Sequence, residues 1–276
     1  MKLSLCHNYE AESVCNQYID TSQTAPNGLC AYCAMTKVIP DLKVKGNHDR
    51  WRDLEAAKRR VLYTVRELGY PLTAGNTGVV LSFGFEADGA NEVQTGHFNG
   101  RITINIREAD AVEREITRVQ FDEPQRTLVG HFRHELGHYI WQRLVKGRDE
   151  VRFRSLFGDE RSPSYDEALR KHHAHGPQEN WQGDFISAYA TMHPWEDFAE
   201  TFGAYLDMVS VIHTAERFGL LKTDPSNLEE MLDEYRRIGL IANEWNRDMG
   251  LLDLVPEIFS PKVVEKMAYV DALRFF

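Results

Sequence analysis

Hydrophobic residues recur at helical spacing over most of the chain and alternate with polar residues in one short stretch. Apolar intervals of three, four and seven residues predict helices over 49–69 and 126–144, and helical spacing dominates from 185 to the end. Isoleucines alternating with polar residues over 97–106 predict a strand with one buried face, and the β-branched run 79–85 predicts another. The pattern therefore predicts a helix-rich α+β fold with one small sheet.

Residues that interrupt helices and strands follow the last cysteine. The stretch MTKVIPDLKVKGN contains Pro40, Gly46 and Asn47, which is typical of a linker. We therefore expect a small segment with its linker over residues 1–47 and a larger domain over residues 48–276.

Composition narrows the classes of function. The 276 residues include 32 basic and 42 acidic side chains, a formal charge of -10, which argues against nucleic acid as the main partner. The most basic stretch, Lys43 to Arg60, is interrupted by acids and is interpreted as a solvated helix face. No run approaches the roughly 18 apolar residues of a membrane span, and the N-terminus does not resemble a signal peptide. We expect a cytoplasmic monomer.

All four cysteines lie within the first 33 residues. Cys30 and Cys33 have the C-x-x-C spacing that presents two sulfurs to one metal, whereas Cys6 and Cys15 are more widely spaced. Four thiolates can hold a structural zinc, with His7 as a conceivable substitute ligand. Free or redox-active thiols and disulfides are the alternatives. A segment this short has little core of its own, so a metal would supply its folding energy.

The segment HFRHELGHYIW contains the strongest chemical signal. His134 and His138 are four residues apart, so a helix projects both imidazoles from one face toward one zinc ion. Glu135 lies beside the metal without ligating it and can act as general base on a zinc-activated water. Leu136 and Ile140 should face the core. The alternative is a helix whose histidines only cap or pack.

A catalytic zinc needs a third protein ligand, and the segment HPWEDFAETF offers one. Glu196 can ligate from a helix starting after Pro194. Glu200, one turn later, can accept the second ring N–H of a ligand histidine. His193 and Asp197 are rival third ligands.

Other side chains near these motifs have open roles. Tyr189 could donate to the oxyanion, although a structural tyrosine is the preferred interpretation from residue type alone. His131 is interpreted as packing or supporting the ligand helix. His172, His173 and His175 could form a second metal site, but a solvated histidine-rich loop is the preferred interpretation.

These motifs in combination resemble the zinc-binding metallopeptidases of the bacterial Mx type, which carry a zinc-ribbon-like segment before a zincin domain. The resemblance spans nearly the whole chain. The EDFAETF segment with its preceding tyrosine is also similar to the corresponding segment of lethal-factor-type peptidases in the gluzincin group. The matching stretches are CAYC, VIPDL, RWRDLEAAKRRVLYTVRELGYPL, GRITINIREADAVERE, RTLVGHFRHELGHYIW, FGDE and SAYATMHPWEDFAETFGAYLDM.

The resemblance implies zinc ligands His134, His138 and Glu196, with Glu135 as general base. It further implies a supporting role for Glu200, an electrophilic role for Tyr189, and a substrate-lining strand edge over Gly100–Ile106. Two features depart from the family pattern: 57 residues separate the second histidine from the third ligand, and the first cysteine pair is not C-x-x-C.

The sequence therefore predicts a metallopeptidase with one catalytic and one structural zinc, acting on peptide or protein substrates. One alternative is a catalytically inactive, zinc-stabilised binding module. Another is a regulatory protein that docks nucleic acid through the cysteine segment and the stretch Lys43–Arg60.

Overall fold

The structure is a computed structural model that describes residues 3–20, 27–73, 78–120, 127–255 and 259–276. The chain forms two compact units, Met1–Arg143 and Leu144–Phe276. The predicted helix-rich α+β character is confirmed, although the strands form two small sheets where one was expected. The domain boundary expected near residue 47 stays a prediction.

The cysteine segment carries the smaller sheet. Two strands pair antiparallel, with Leu3 opposite Asp20. Cys6 lies between the first strand and the short helix that follows it. The elements are β1 (Leu3–Leu5), α1 (His7–Glu10) and β2 (Tyr18–Asp20).

The larger sheet has four strands in the order β3-β4-β6-β5. The first three in this order run parallel, and β5 pairs antiparallel with β6. Phe83, Phe85, Ile102 and Ile104 are fully buried, as the alternation of polar and apolar residues predicts. The strands are β3 (Thr36–Val38), β4 (Ser82–Glu86), β5 (Gly96–Phe98) and β6 (Arg101–Asn105).

The single strand expected over 97–106 is a hairpin. Asn99 and Gly100 connect β5 to β6 with φ of 48° and 83°, the two positive values that a type I′ turn requires. A Cβ on Gly100 would lie 2.5 Å from the carbonyl oxygen of Val80, so a larger residue would clash there. Over Arg101–Thr103, β6 pairs with β4 on one side and with β5 on the other, so this part of the expected substrate-lining edge over Gly100–Ile106 is wrong. The strands at the two ends of the sheet order are β3 and β5.

Helices cover the sheet of the first unit. Phe132 on α4 contacts the rings of Phe83 and Phe85 at centroid distances of 5.9 and 6.1 Å. α4 also packs against α2, which buries Trp51 and Leu54. α2 (Asn47–Glu67) lies within two residues of the predicted 49–69. α4 (Leu128–Ile140) ends four residues before the predicted 144, where a π-helical turn follows (Trp141–Val145). The remaining helix of this unit is α3 (Ala111–Gln120).

A long helix is the centre of the second unit. α7 packs against α5, α8 and α9, and its Phe198 contacts Phe153 and Phe157. None of the helices within the described ranges has both the length and the apolar character needed to cross a membrane. The helices are α5 (Glu150–Phe157), α6 (Tyr165–His175), α7 (Pro194–Arg217), α8 (Leu228–Asp248) and α9 (Pro261–Ala272).

Candidate metal centres

The structure brings the four cysteines together. Their sulfurs lie within 4.8 Å of one another, all four residues are buried, and none forms a disulfide. The Cys15 and Cys30 sulfurs are 3.8 Å apart. Two thiolates on one tetrahedral zinc, each at about 2.3 Å, are separated by about 3.8 Å. The cluster therefore fits a zinc ion. His7, the substitute ligand, is exposed and lies outside this group.

Hydrogen bonds around the sulfurs favour thiolates. The backbone N–H of Cys30 donates to Cys6 Sγ at 3.2 Å, and that of Cys33 donates to Cys30 Sγ at 3.4 Å. Hydrogen bonds from the Cys15 and Cys33 thiols lower the pKa of Cys30 to about 2, while the neighbouring Cys30 raises the pKa of Cys15 to about 11. One thiolate thus forms at the expense of its neighbours, and a cation is needed for all four to ionise together.

A buried charge pair adjoins the cysteine cluster. Cys33 Sγ lies 3.9 Å from Glu55 Oε2, and this carboxylate pairs with Lys58 Nζ at 2.8 Å. Both charged side chains are fully buried. Thr36 Oγ1 donates to Glu55 Oε1 at 2.6 Å. The interpretation of Lys43–Arg60 as a solvated face is therefore wrong at these positions, because the sheet and the cysteine segment cover this face of α2.

The histidine pair lies on α4 as predicted. Thr127 caps the helix by accepting the Gly130 N–H at 2.9 Å. The Nε2 atoms of His134 and His138 face each other at 3.1 Å, and both rings are half-buried. Two imidazoles on one tetrahedral zinc at 2.0–2.1 Å place their ligating nitrogens about 3.3 Å apart. The pair therefore fits two ligands of a single ion.

Most residues next to the pair are buried. Glu135 is buried with 6% of its surface exposed, while Leu136 and Ile140 are fully buried as predicted. His131 Nε2 lies 3.2 Å from Glu108 Oε2, which agrees with a packing or supporting role.

In the second unit, Glu196 lies in the first turn of α7 and is 2% exposed. The two rival ligands each have another partner. His193 accepts the Trp195 N–H through Nδ1 at 3.2 Å and donates from Nε2 to the Glu160 carbonyl oxygen at 3.2 Å, so it is the N-cap of the helix. Asp197 Oδ2 accepts from Lys266 Nζ at 2.6 Å.

Two hydroxyl groups hold the carboxylates of α7. Tyr165 OH donates to Glu196 Oε1 at 3.0 Å, and Ser187 Oγ donates to Glu200 Oε2 at 2.8 Å. Sequence reasoning missed both donors because they lie 31 and 13 residues from their partners and share no spacing with them. The predicted bond from a ligand histidine to Glu200 stays a prediction.

Tyr189 lies near the same carboxylates. Burial around its phenol and the charge of Glu196 raise its pKa, although 37% of the whole residue is exposed. A raised pKa keeps the phenol protonated, so Tyr189 remains a hydrogen-bond donor across the neutral pH range.

The histidine-rich loop expected over 172–175 is the end of a helix. His172 contacts the Tyr189 ring edge-on at 5.9 Å, and His175 Nδ1 donates to the Lys171 carbonyl oxygen at 3.1 Å. Within the described residues, these histidines belong to no group of three that could hold a metal.

The four-cysteine cluster and the histidine pair define a metal-binding α+β protein. Residues 47–273 match the model of a family described as "Putative zinc-binding metallo-peptidase", and the chain belongs to this family. Similar proteins include uncharacterised proteins of Mycobacterium bovis and Mycobacterium tuberculosis. Each is 37% identical over 284 residues, which cover 98% of this chain and 82% of the relative. No solved structure matches this chain significantly.

Proposed function

We propose that this protein is a zinc-dependent peptidase that hydrolyses peptide bonds with Glu135 as general base. The observation that carries the proposal is the pair of facing imidazole nitrogens, 3.1 Å apart on α4, with the buried Glu135 next to one of them. A purely structural histidine pair has no need of an adjacent buried carboxylate, which costs free energy to desolvate. Membership of a zinc-binding metallopeptidase family supports this assignment.

Glu196 is our proposed third ligand. Its two rivals in the same segment each have another role, because Asp197 pairs with Lys266 and His193 caps the helix. The resemblance to zinc metallopeptidases implies this same ligand set of His134, His138 and Glu196, and family membership supports it. Two imidazoles and one carboxylate leave a fourth position for water, as catalytic zinc sites require.

Zinc, when bound, lowers the pKa of a ligated water toward about 7 and polarises the substrate carbonyl. Glu135 then takes a proton from the attacking water and passes it to the leaving amine nitrogen. Tyr189 donates a hydrogen bond from its phenol to the oxyanion. Its raised pKa keeps the phenol protonated for this role. Glu200 is proposed to orient a ligand imidazole.

The edge strand β5 is our proposed docking line for an extended peptide. β5 lies at one end of the sheet order and contacts α4, the helix of the histidine pair, so a peptide that pairs with β5 by β-augmentation would lie beside that helix. Phe98 at its end is 78% exposed and can contact a substrate side chain.

The cysteine cluster is proposed to hold a second, structural zinc. Four buried protein ligands complete a tetrahedral shell and leave no position for water. The protein would then bind one zinc of each kind.

The nucleic-acid alternative loses support from the charges of the basic stretch. Arg50 pairs with Asp110 at 3.2 Å, Arg52 pairs with Asp49 at 2.7 Å, and Lys58 is buried. These side chains are engaged within the protein and do not form a patch for phosphate contacts. A cytoplasmic location and a monomeric state remain predictions.

The substitution Glu135→Gln tests the proposed function. It keeps the size of the side chain but cannot accept the proton, so cleavage of a fluorescence-quenched peptide library should fall by a factor of about 10² to 10⁴. Zinc content by elemental analysis should stay at the unsubstituted value. Glu229→Gln, an exposed change on α8, is the matched control and should leave both unchanged. Equal cleavage by Glu135→Gln and the unsubstituted protein would reject the mechanism.

A further inference from the structure

Ser164 caps the first turn of helix α6. Glu167 Oε2 accepts from the backbone N–H of Ser164 at 3.1 Å and from the Ser164 hydroxyl at 2.7 Å. This reciprocal cap defines the first turn and therefore the direction in which Tyr165 leaves the backbone. Tyr165, the first helical residue, is half-buried.

Tyr165 is packed against the start of α7. Its ring lies 5.3 Å from the ring of His193 and 6.3 Å from that of Trp195. Its hydroxyl donates to Glu196 Oε1 at 3.0 Å. A ring held on two sides has few rotamers, so the hydroxyl can fix the plane of the carboxylate without a further entropic cost.

The same helix also contacts Tyr189. The neighbouring Tyr165 contributes to the raised pKa of Tyr189, and His172, two turns along α6, packs edge-on against the Tyr189 ring at 5.9 Å. One element therefore touches both the proposed third ligand and the proposed oxyanion donor.

We infer that Tyr165 is a positioning residue that orients the Glu196 carboxylate toward the metal, and that α6 is part of the active site. The inference rests on the proposed function. A donor on Oε1 selects the other carboxylate oxygen as the ligand atom and raises the cost of rotating the carboxylate. Such partners of a metal ligand typically contribute a factor of 10 to 100 in metal affinity.

The experiment measures zinc release from the full-length protein into an excess of chelator. The phase that disappears in His134→Ala reports the catalytic zinc, and the remaining phase reports the cysteine centre. We expect Tyr165→Phe to accelerate the first phase at least tenfold and to leave the second unchanged. Cobalt substituted at the catalytic centre should show an altered absorption spectrum in Tyr165→Phe, because the ligand field changes.

Tyr235→Phe is the matched control. It removes a phenol-to-carboxylate hydrogen bond of the same length, 3.0 Å to Asp207 Oδ2, elsewhere in the second unit. It should leave both release phases and the cobalt spectrum unchanged. Melting of the zinc-free proteins separates positioning from folding: Tyr165→Phe should melt within a few degrees of the unsubstituted chain, and its deficit should emerge only when zinc is bound.

The outcomes distinguish the inference from the function on which it rests. Unchanged catalytic-phase release and an unchanged cobalt spectrum in Tyr165→Phe would overturn the positioning role alone. An equal loss of stability with and without zinc would also overturn it, because the residue would then be structural. A protein from which His134→Ala removes no zinc would overturn the proposed function together with the inference.

Discussion

The two candidate metal centres use different ligands and have different surroundings. The cysteine cluster draws four fully buried sulfurs from within 28 residues of chain. The histidine pair offers two half-buried imidazoles from one helical turn, and the buried Glu135 lies beside them in sequence. A closed tetrahedral set stabilises a fold, whereas an incomplete set beside a general base can activate water. Ligand count and burial therefore separate the two proposed roles even if both centres bind the same metal.

The groups that surround the cysteines also differ from those that surround Glu196. Backbone N–H groups and the Glu55–Lys58 pair adjoin the cysteines, and these contacts are buried. The neighbourhood of Glu196 consists of hydroxyl and phenol groups from Tyr165 and Tyr189, which can donate hydrogen bonds to a substrate or a ligand.

Variants that each remove one metal centre should give the largest effects and test whether the two centres are independent. His138→Ala should lower peptide cleavage by about 10³-fold or more, because the catalytic ion is lost, while unfolding of the metal-loaded cysteine segment changes little. The double change Cys30→Ser, Cys33→Ser should remove the other zinc and destabilise the first unit by about 4 kcal/mol. Zinc content, cleavage and denaturant unfolding are the measurements. Loss of both zincs in either variant would contradict two independent centres.

A smaller effect is expected at the charge pair beside the cysteines. Lys58→Met leaves the Glu55 carboxylate buried without its nearest cation, which should cost about 3 kcal/mol of unfolding free energy. The double change Glu55→Gln, Lys58→Met should recover most of this loss, since no unpaired charge remains. Denaturant titration of all three proteins measures both values.

The matched control for this pair is Lys262→Met. Lys262 and Glu265 have the same three-residue spacing and a 3.1 Å ion pair, but both are exposed. Exposed pairs contribute about 0–1 kcal/mol, so this variant should remain close to the unsubstituted protein. Similar losses in Lys58→Met and Lys262→Met would show that burial is not the cause.

The smallest expected effect concerns the helix that carries the histidines. Thr127→Ala removes the acceptor for the Gly130 N–H and should cost about 1 kcal/mol, while Thr127→Ser should retain most of the stability. The loss should also weaken zinc binding at the histidine centre slightly and leave the cysteine centre unchanged. Urea unfolding and the two-phase zinc release measure these effects. Equal stability of the alanine and serine variants would contradict a capping role.

Helices were predictable because their information is local. The bounds of α2 lie within two residues of the predicted 49–69, since apolar spacing and breakers define both ends. The prediction of a single strand over 97–106 is wrong, because the chain turns at Asn99-Gly100. This dipeptide is typical of a type I′ turn and could have been recognised in the sequence, but the alternating isoleucines favoured an uninterrupted strand.

The sequence alone determined which side chains could bind metal, because HELGH and C-x-x-C encode ligand type and spacing within one turn of chain. The tertiary structure alone decided which acids and phenols accompany them. Tyr165 meets Glu196 across 31 residues, and Lys58 is buried against Glu55 only because strands and the cysteine segment cover that face of α2. Spacing along the chain carries no record of such contacts, since they arise from how separate elements pack.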